Sequence, residues 1–426
     1  DVFDFTLFLS PGDVWAGAVL QGADGLATLV TQDKSCTLPP ASAWEGGVRF
    51  VTDRLPNASS TASINAEQQA ALTREGYVEV LNMADILPDT DLFKATKHVN
   101  GVAPCLENDD YVALRGRLLS TVADNAGARA DGLSNPTGGL MGSWAILDLG
   151  HMGTYSGTQT AVIAAEVPPG PNGTAIAAPG NLAFFPQEPI GAGDVSNWTA
   201  DPLLTGTAGT QKITPLWFDL PDMSTPLTAN TAAAQADELT AALAKTNVIN
   251  EYIATGAGAE VPFTTDWVVS QPTRRYHAAV DYKAATTTTA LVTRGTLPTG
   301  YSGLAVQSTD YGWQACLPLA FSPTDREEKG VASSTSGGGF SPGSATPPQR
   351  YCGEVFVAQF GATSALQAVV TNRSVPTAGG AGWASLGSNT GALPIVGYAA
   401  TLFTNGLTGN KYGMTFQHRW LASVAP

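Results

Sequence analysis

The stretch "DVFDFTLFLSPGDVW", residues 1–15, sets the reading of the whole chain. Polar or acidic side chains alternate with apolar ones from Asp1 to Leu9, and Ser10-Pro11-Gly12-Asp13 then breaks the run. Alternation with period two, closed by Pro and Gly, is the pattern of a half-buried strand. Strands are normally preceded by something that delivers and pairs them, so which strand fills the place beside this one is the first question the sequence raises.

The same pattern recurs along the sequence. "VRFVT", "GYVEVLNM", "SWAILDL", "TAVIAAEV", "LWFDL", "DWVVS", "RYHAAVDY", "TALVTRG", "CGEVFVAQF", "LQAVVTN", "GWASL" and "KYGMTFQHRW" each read as strands bounded by turn residues. They are joined by turns rather than by regular helices, which predicts antiparallel sheets and not a parallel α/β core. The expected fold class is mainly β: antiparallel, immunoglobulin-like β-sandwich domains with long loops and a few short inserted helices.

Three helices are expected. "NAEQQAALTREG" offers Asn65 as N-cap, Gln68 three residues on, and Gly76 as the stop. "NDDYVALRGRLLSTV" opens on acids and places Tyr111, Leu114 and Leu118 on one face. "TANTAAAQADELTAALAKTNVINEYIATG" aligns Ala236, Leu239 and Leu243 and ends at Gly256. These elements divide the chain into an N-terminal sandwich over 1–167, a long-loop region with the Ala-rich helix over 168–262, and C-terminal sandwich strands over 263–426. Apolar residues inside the long loops, among them Leu182, Phe184, Phe185 and Trp198, call for cover by the body or by another subunit.

Composition narrows the function. Of 426 residues only 13% are charged, four are histidine, and the net charge is −15. No basic stripe exists for phosphate, so nucleic acid is not an expected partner. No run approaches the length of a membrane-spanning helix. A secreted chain released from its signal peptide would begin as this one does. The four cysteines, Cys36, Cys105, Cys316 and Cys352, allow three pairings. Proximity favours Cys36 with Cys105 and Cys316 with Cys352, with four buried thiols as the alternative. The second bridge would close a Ser/Gly-rich loop and contribute about 4 kcal/mol on the loop-entropy scale. Disulfides point to an oxidising, extracellular location.

Catalytic constellations are hard to find. Gly339-Phe340-Ser341-Pro342-Gly343 matches GxSxG, but the internal proline and the missing strand–helix context argue against a nucleophile elbow. His98, His151, His277 and His418 are not spaced for a metal. The carboxylate groups at Asp89 and Asp91, at Glu107, Asp109 and Asp110, and at Asp325, Glu327 and Glu328 lack EF-hand spacing. Helix starts and solvated turns explain them. Calcium is the one ion they would suit, and no catalytic residue, metal ligand or cofactor-binding residue is assigned.

"LFLSPGDVWAGAV", "REGYVEVLNMADI", "TDWVVSQPTRRYHAAVDY" and "LPIVGYAATLFTNGLTGNKYGMTFQHRW" together resemble a largely uncharacterised family of secreted cell-surface proteins from Gram-negative, mainly proteobacterial, genomes. The similarity runs through nearly the whole chain and carries no catalytic residues. It implies one or two further strands upstream of Asp1 that pair with "VFDFTLFLS".

The expected function is therefore structural: an extracellular surface protein that assembles with copies of itself into a layer, sheath or filament. Val2, Phe3, Phe5, Leu7 and Leu9 form the candidate assembly strand, donated to or accepted from a neighbour. Pairing of that strand within its own chain would remove it as the joint. Two other classes remain open. One is an adhesin or glycan-binding module using Trp198, Trp217 or Trp383 against cell-surface glycans, and the other a carboxylate-dependent hydrolase.

Overall fold

A computed structural model describes residues 5–38, 46–50, 65–80, 82, 84–105, 108–118, 130–134, 140–150, 153–160, 232–255, 262–280, 291–293, 295–325, 349–366, 370, 372–376, 380–405 and 408–420. The N-terminal part contains β1 (Thr6–Phe8), β2 (Gly17–Gln21), β3 (Ala27–Thr31), β4 (Cys36–Leu38), β5 (Val48–Arg49), α1 (Ala66–Leu72), β6 (Asp85–Ile86), α2 (Asp91–Thr96), α3 (Val112–Leu118) and β7 (Leu133–Ser134). A hairpin follows, made of β8 (Ser143–Asp148) and β9 (Gly153–Thr158). Beyond residue 231 come α4 (Ala232–Leu243), β10 (Ala244–Lys245), β11 (Asn247–Ile253), β12 (Phe263–Ser270), β13 (Ala278–Val280), β14 (Leu291–Thr293), β15 (Ala305–Thr309) and β16 (Gly312–Asp325). The last strands are β17 (Gln349–Cys352), β18 (Val355–Gln359), β19 (Arg373–Ser374), β20 (Ala381–Gly387), β21 (Leu393–Pro394), β22 (Val396–Thr404), β23 (Lys411–Gln417) and β24 (Arg419–Trp420).

The chain is mainly β, in several antiparallel sheets. Two of them make the larger body. One runs β15-β16-β20-β11-β24 with β17 added on β16, and the other runs β19-β18-β12-β22-β23. Within them only β18 and β19 pair in parallel. Both sheets feed one apolar core, where Tyr252 of β11, Phe321 of β16 and Leu386 of β20 meet Trp267 of β12, Phe356 of β18 and Ala399 of β22. Trp267 is fully buried, with its ring 5.5 Å from Phe321 and 5.2 Å from Phe360. Its indole N–H donates to the Glu251 carbonyl at 3.0 Å, so the polar edge of the ring is satisfied where the sheets meet.

The central strands are the ones that period two does not reveal. In β22, Ala399, Ala400, Thr401 and Leu402 are all buried. The inward side faces the main core, and the outward side is roofed by the β8–β9 hairpin through Tyr155 and Trp144. A strand covered on both faces reads as a continuous apolar run. The fourteen-residue β16 holds two prolines, which read as breaks in the sequence. Each has a ladder partner on one side alone, Arg350 for Pro318 and Ala384 for Pro323, so a missing N–H can face away from the ladder.

The third helix ends at Leu243, not at Gly256. "NVINEYI", expected to continue it, is β11, a central strand paired with β20 along its whole length. Val248, Asn250 and Tyr252 alternate inward, and the β-branched residues suit a strand better than a helix. The two-sheet body thus begins before residue 263. It also draws in the hairpin from within 1–167, because the Tyr155 hydroxyl donates to the Ala365 carbonyl at 2.6 Å.

Other expectations shift locally. The first helix has the expected capping box between Asn65 and Gln68, but it closes at Thr73, before Gly76. "GYVEVLNM" makes no ladder among its described residues. Its exposure alternates, with Tyr77 and Glu79 half-buried and Val78 and Val80 exposed. "RYHAAVDY" starts as a 3-10 turn, Arg274–Tyr276, and is a strand only from Ala278.

Both bridges favoured by proximity form, Cys36 to Cys105 and Cys316 to Cys352. The first sits in a smaller core with Phe8, Leu92, Ala95, Leu114 and Leu118, tying β4 to the loop after α2. The second joins directly opposed residues of β16 and β17. "TAVIAAEV" after Thr160, "LWFDL", Leu182, Phe184, Phe185, Trp198, Trp217 and the GxSxG segment lie outside the described residues.

Candidate functional site

The candidate assembly strand is paired at home. β1 runs antiparallel to β4, with Thr6 opposite Leu38, Leu7 opposite Thr37 and Phe8 opposite Cys36. Phe8 enters the small core, while Phe5, Leu7 and Leu9 are half-buried, and Val2 and Phe3 lie outside the described residues. Thr6–Phe8 therefore spend one ladder edge on their own chain, which is the pairing that would remove this segment as the joint between molecules.

The edge that carries an exposed apolar stripe lies elsewhere. β23 ends the five-stranded sheet, and among the described residues no strand pairs with it beyond β22. Register fixes which way its side chains point. Tyr412 opposes Phe403, Met414 opposes Thr401 and Phe416 opposes Ala399, so all three sit on the sheet face that lines the main core. The opposing sheet covers them only in part: Asn250 of β11 donates to the Phe416 carbonyl at 2.8 Å, while Tyr412, Met414 and Phe416 remain 54%, 41% and 36% exposed. An aromatic row, Phe263, Phe403 and Tyr412, crosses the sheet to this edge with centroids 5.2 and 5.9 Å apart. On the other face, Gly413 and Thr415 lie under β9, and the Thr415 hydroxyl donates to the Ser156 carbonyl. The sequence shows β23 as "KYGMTFQHRW", and Tyr, Met and Phe at every second position were the available signal for this stripe.

One cluster has the composition of a catalytic site. His277 Nε2 is 2.7 Å from the Thr240 hydroxyl, and Nδ1 is 3.9 Å from an Asp237 carboxylate oxygen. Thr240 and His277 are both buried, and the Thr240 hydroxyl donates to the Ala236 carbonyl at 2.7 Å. With that hydrogen committed, Nε2–H becomes the donor to Oγ1, the reverse of what a general base needs. The contact clamps α4 onto the segment before β13.

Around it, polar groups join the two parts of the chain. Arg274 donates to the carbonyls of Ala315 at 3.0 Å and Gly353 at 2.7 Å, on either side of the Cys316–Cys352 bridge. Tyr276 donates to Glu79 at 2.6 Å and Tyr77 to the Pro272 carbonyl at 3.0 Å. Burial pushes both phenols well above their ordinary pKa, so they stay neutral donors.

Asp91, Asp109 and Asp110 serve local structure, and Glu107, Glu327 and Glu328 lie outside the described residues. Asp91 stands in the first turn of α2 and pairs with Lys94 at 3.2 Å. Asp109 and Asp110 open a 3-10 turn capped by Asn108. Among the described residues no three His, Cys, Asp or Glu side chains are grouped to hold a metal ion. Asp266, wholly buried on β12, gathers the Ser364 hydroxyl, the Leu366 N–H at 3.1 Å and Arg373 at 3.4 Å on one oxygen. No helix of the described residues is long and apolar enough to cross a membrane. Compared with known proteins, the chain matches no family model, no curated protein and no solved structure.

Proposed function

We propose that this chain is a structural subunit outside the cell, assembling with copies of itself into a surface layer, sheath or filament. The observation that carries the reading is the open β23 edge. With no strand beyond it among the described residues, and with the Phe416 carbonyl as the one main-chain group that Asn250 takes, this edge offers a neighbour an open ladder and the apolar stripe of Tyr412, Met414 and Phe416 together. Soluble proteins normally blunt such edges with charge, proline or bulges. Addition of a strand from a neighbour would cover both, with main-chain hydrogen bonds supplying affinity and the stripe supplying register.

Two disulfides within a low-charge, acidic chain support secretion. Kinship with secreted cell-surface proteins of Gram-negative bacteria belongs to the same reading. So does an immunoglobulin-like sandwich as the rigid module that presents the edge. No catalysis, metal or cofactor is needed for this role.

Sedimentation velocity with negative-stain imaging tests it, on the wild-type chain and on Met414→Lys. Species larger than a monomer are expected from the wild type. A lysine on the stripe should return the chain to monomer with unchanged far-UV circular dichroism. A wild-type chain that stays monomeric at high concentration would sink the proposal, as would a Met414→Lys variant that assembles normally.

A further inference from the structure

Trp383 stands half exposed, at 50%, on a different surface. Its strand β20 lies between β16 and β11, and the ladders place Thr324 opposite it on one side and Glu251 on the other. Directly opposed residues project from the same face with Cβ atoms about 5 Å apart. The adjacent positions settle which face this is. Leu386 and Ala384 of β20, with Phe321 and Tyr252 beside them, enter the core, so Trp383 points out of the six-stranded sheet. A hydroxyl, an indole and a carboxylate therefore stand in one row across three strands. Two residues along, Ser322, Ser385 and Ile249 form the next row on the same face.

The polar members of these rows are not used by the fold. Among the described residues the side chains of Glu251, Thr324, Ser322 and Ser385 have no hydrogen-bond partner, although all four are partly buried. Ser322 and Ser385 of the second row are short, so on that side the indole stands above its neighbours. An aromatic plate ringed by unpaired hydroxyls and one carboxylate matches a pyranose. The C–H face of the sugar stacks on the ring, while its hydroxyls donate to the carboxylate and exchange hydrogen bonds with Ser and Thr.

We propose that Trp383, Glu251 and Thr324 form a binding site for a neutral polysaccharide, independent of the β23 edge. Charge selects the class. A net charge of −15 and a carboxylate directly beside the stacking ring disfavour uronate and sulfated glycans, since the one cation in these rows, Arg419, stands a row away beyond Ile249. An uncharged pyranose has no such penalty and satisfies the Glu251 oxygens through its hydroxyls.

Isothermal titration of the whole chain with cellohexaose, laminarihexaose, chitohexaose and mannohexaose tests this, with a polygalacturonate oligomer as the charged comparison. At least one neutral hexasaccharide should bind, and the polygalacturonate should not. Trp383→Ala should weaken that binding by about tenfold or more, Trp383→Tyr should retain part of it, and Glu251→Gln should weaken it less than Trp383→Ala. Sedimentation should be the same for the wild type and the Trp383 variants. Four silent neutral sugars would overturn the proposal, and so would a Trp383→Ala variant that binds like the wild type. A Trp383→Ala variant altered in assembly rather than in sugar binding would make this face an interface between copies and overturn it equally.

Discussion

His418 accepts the amide N–H of Asn250 on its Nδ1 at 3.0 Å, and its Nε2 lies 3.0 Å from the carbonyl oxygen of Val268, to which it donates. Asn250 belongs to β11 and Val268 to β12, so one buried ring bonds both sheets where the chain crosses from β23 to β24. Only a neutral imidazole with a bare Nδ1 fits, because a proton there would face the Asn250 N–H. Burial holds the His418 pKa down at about 3, and the bond to Val268 offsets that only in part.

The pH dependence follows from that depression. The unfolded chain takes up a proton at His418 near the ordinary value of 6.5, whereas the folded chain resists until about 3. Between those values the unfolded state binds more protons, so stability is full above about 6.5 and declines as pH falls. The decline from this group is at most about 1.4 kcal/mol per pH unit. Urea unfolding from neutral pH to about pH 4 measures it, and His418→Gln should flatten that part of the profile. An unchanged slope in the variant would assign the pH dependence to other groups.

Asp266 leads to a second expectation. Its carboxylate is wholly buried and meets Arg373, which also reaches Gln359 at 3.0 Å and Ser364 at 2.8 Å. Removing one partner of a buried pair strands the other, so Asp266→Ala should destabilise by about 3–5 kcal/mol. Asp266→Asn keeps the shape and part of the bonding and should do less damage. The readout is the urea midpoint at constant slope. Equal midpoints for Asp266→Ala and the wild type would show that the network contributes nothing net.

Much of this architecture is legible in the residues themselves. Strands with one face in the core alternate visibly, as in "GWASL" of β20, where Ala384 and Leu386 are buried and Trp383 and Ser385 point outward, and the cap at Asn65 and Gln68 is local chemistry. β22 and β16 are hidden for physical reasons, burial on both faces in one and prolines beside one-sided ladders in the other. β11 is hidden because its helix-like run from α4 continues without a glycine or proline to mark the change. The candidate sites are still less legible. That β1 is paired and β23 is open depends on which strands meet in space, and so does the row Thr324, Trp383 and Glu251.

The Cys316–Cys352 bridge closes a loop of 36 residues between opposed strand positions. Replacing both cysteines by alanine should lower stability by about 4 kcal/mol, mainly through a freer unfolded chain. Arg274 still holds the Ala315 and Gly353 carbonyls, so the local ladder should persist in the native state. Guanidinium unfolding of the oxidised wild type and the double variant checks both points. A variant that lost native-state hydrogen-exchange protection in β16 and β17 would show that the bridge holds the strands themselves.

Gly397 connects the corner to the sheet beneath it. Its φ is +153°, and a Cβ there would lie 2.0 Å from the Val268 carbonyl oxygen and 3.0 Å from His418 Cδ2. The first of these is the same oxygen that receives the His418 Nε2–H. The Gly397 carbonyl in turn accepts the His418 backbone N–H at 2.9 Å. A methyl group at this point cannot be met by a rotamer change, because the obstacle is backbone. Gly397→Ala must part β12 from β22 or expel the imidazole, and should destabilise by about 3 kcal/mol or more. The two routes separate in the pH profile. If the ring is expelled, His418 titrates alike in folded and unfolded chains, and the acid-side slope should fall to that of His418→Gln. If the strands part with the ring in place, the slope persists at lower overall stability. A variant as stable as the wild type would contradict the close approach itself.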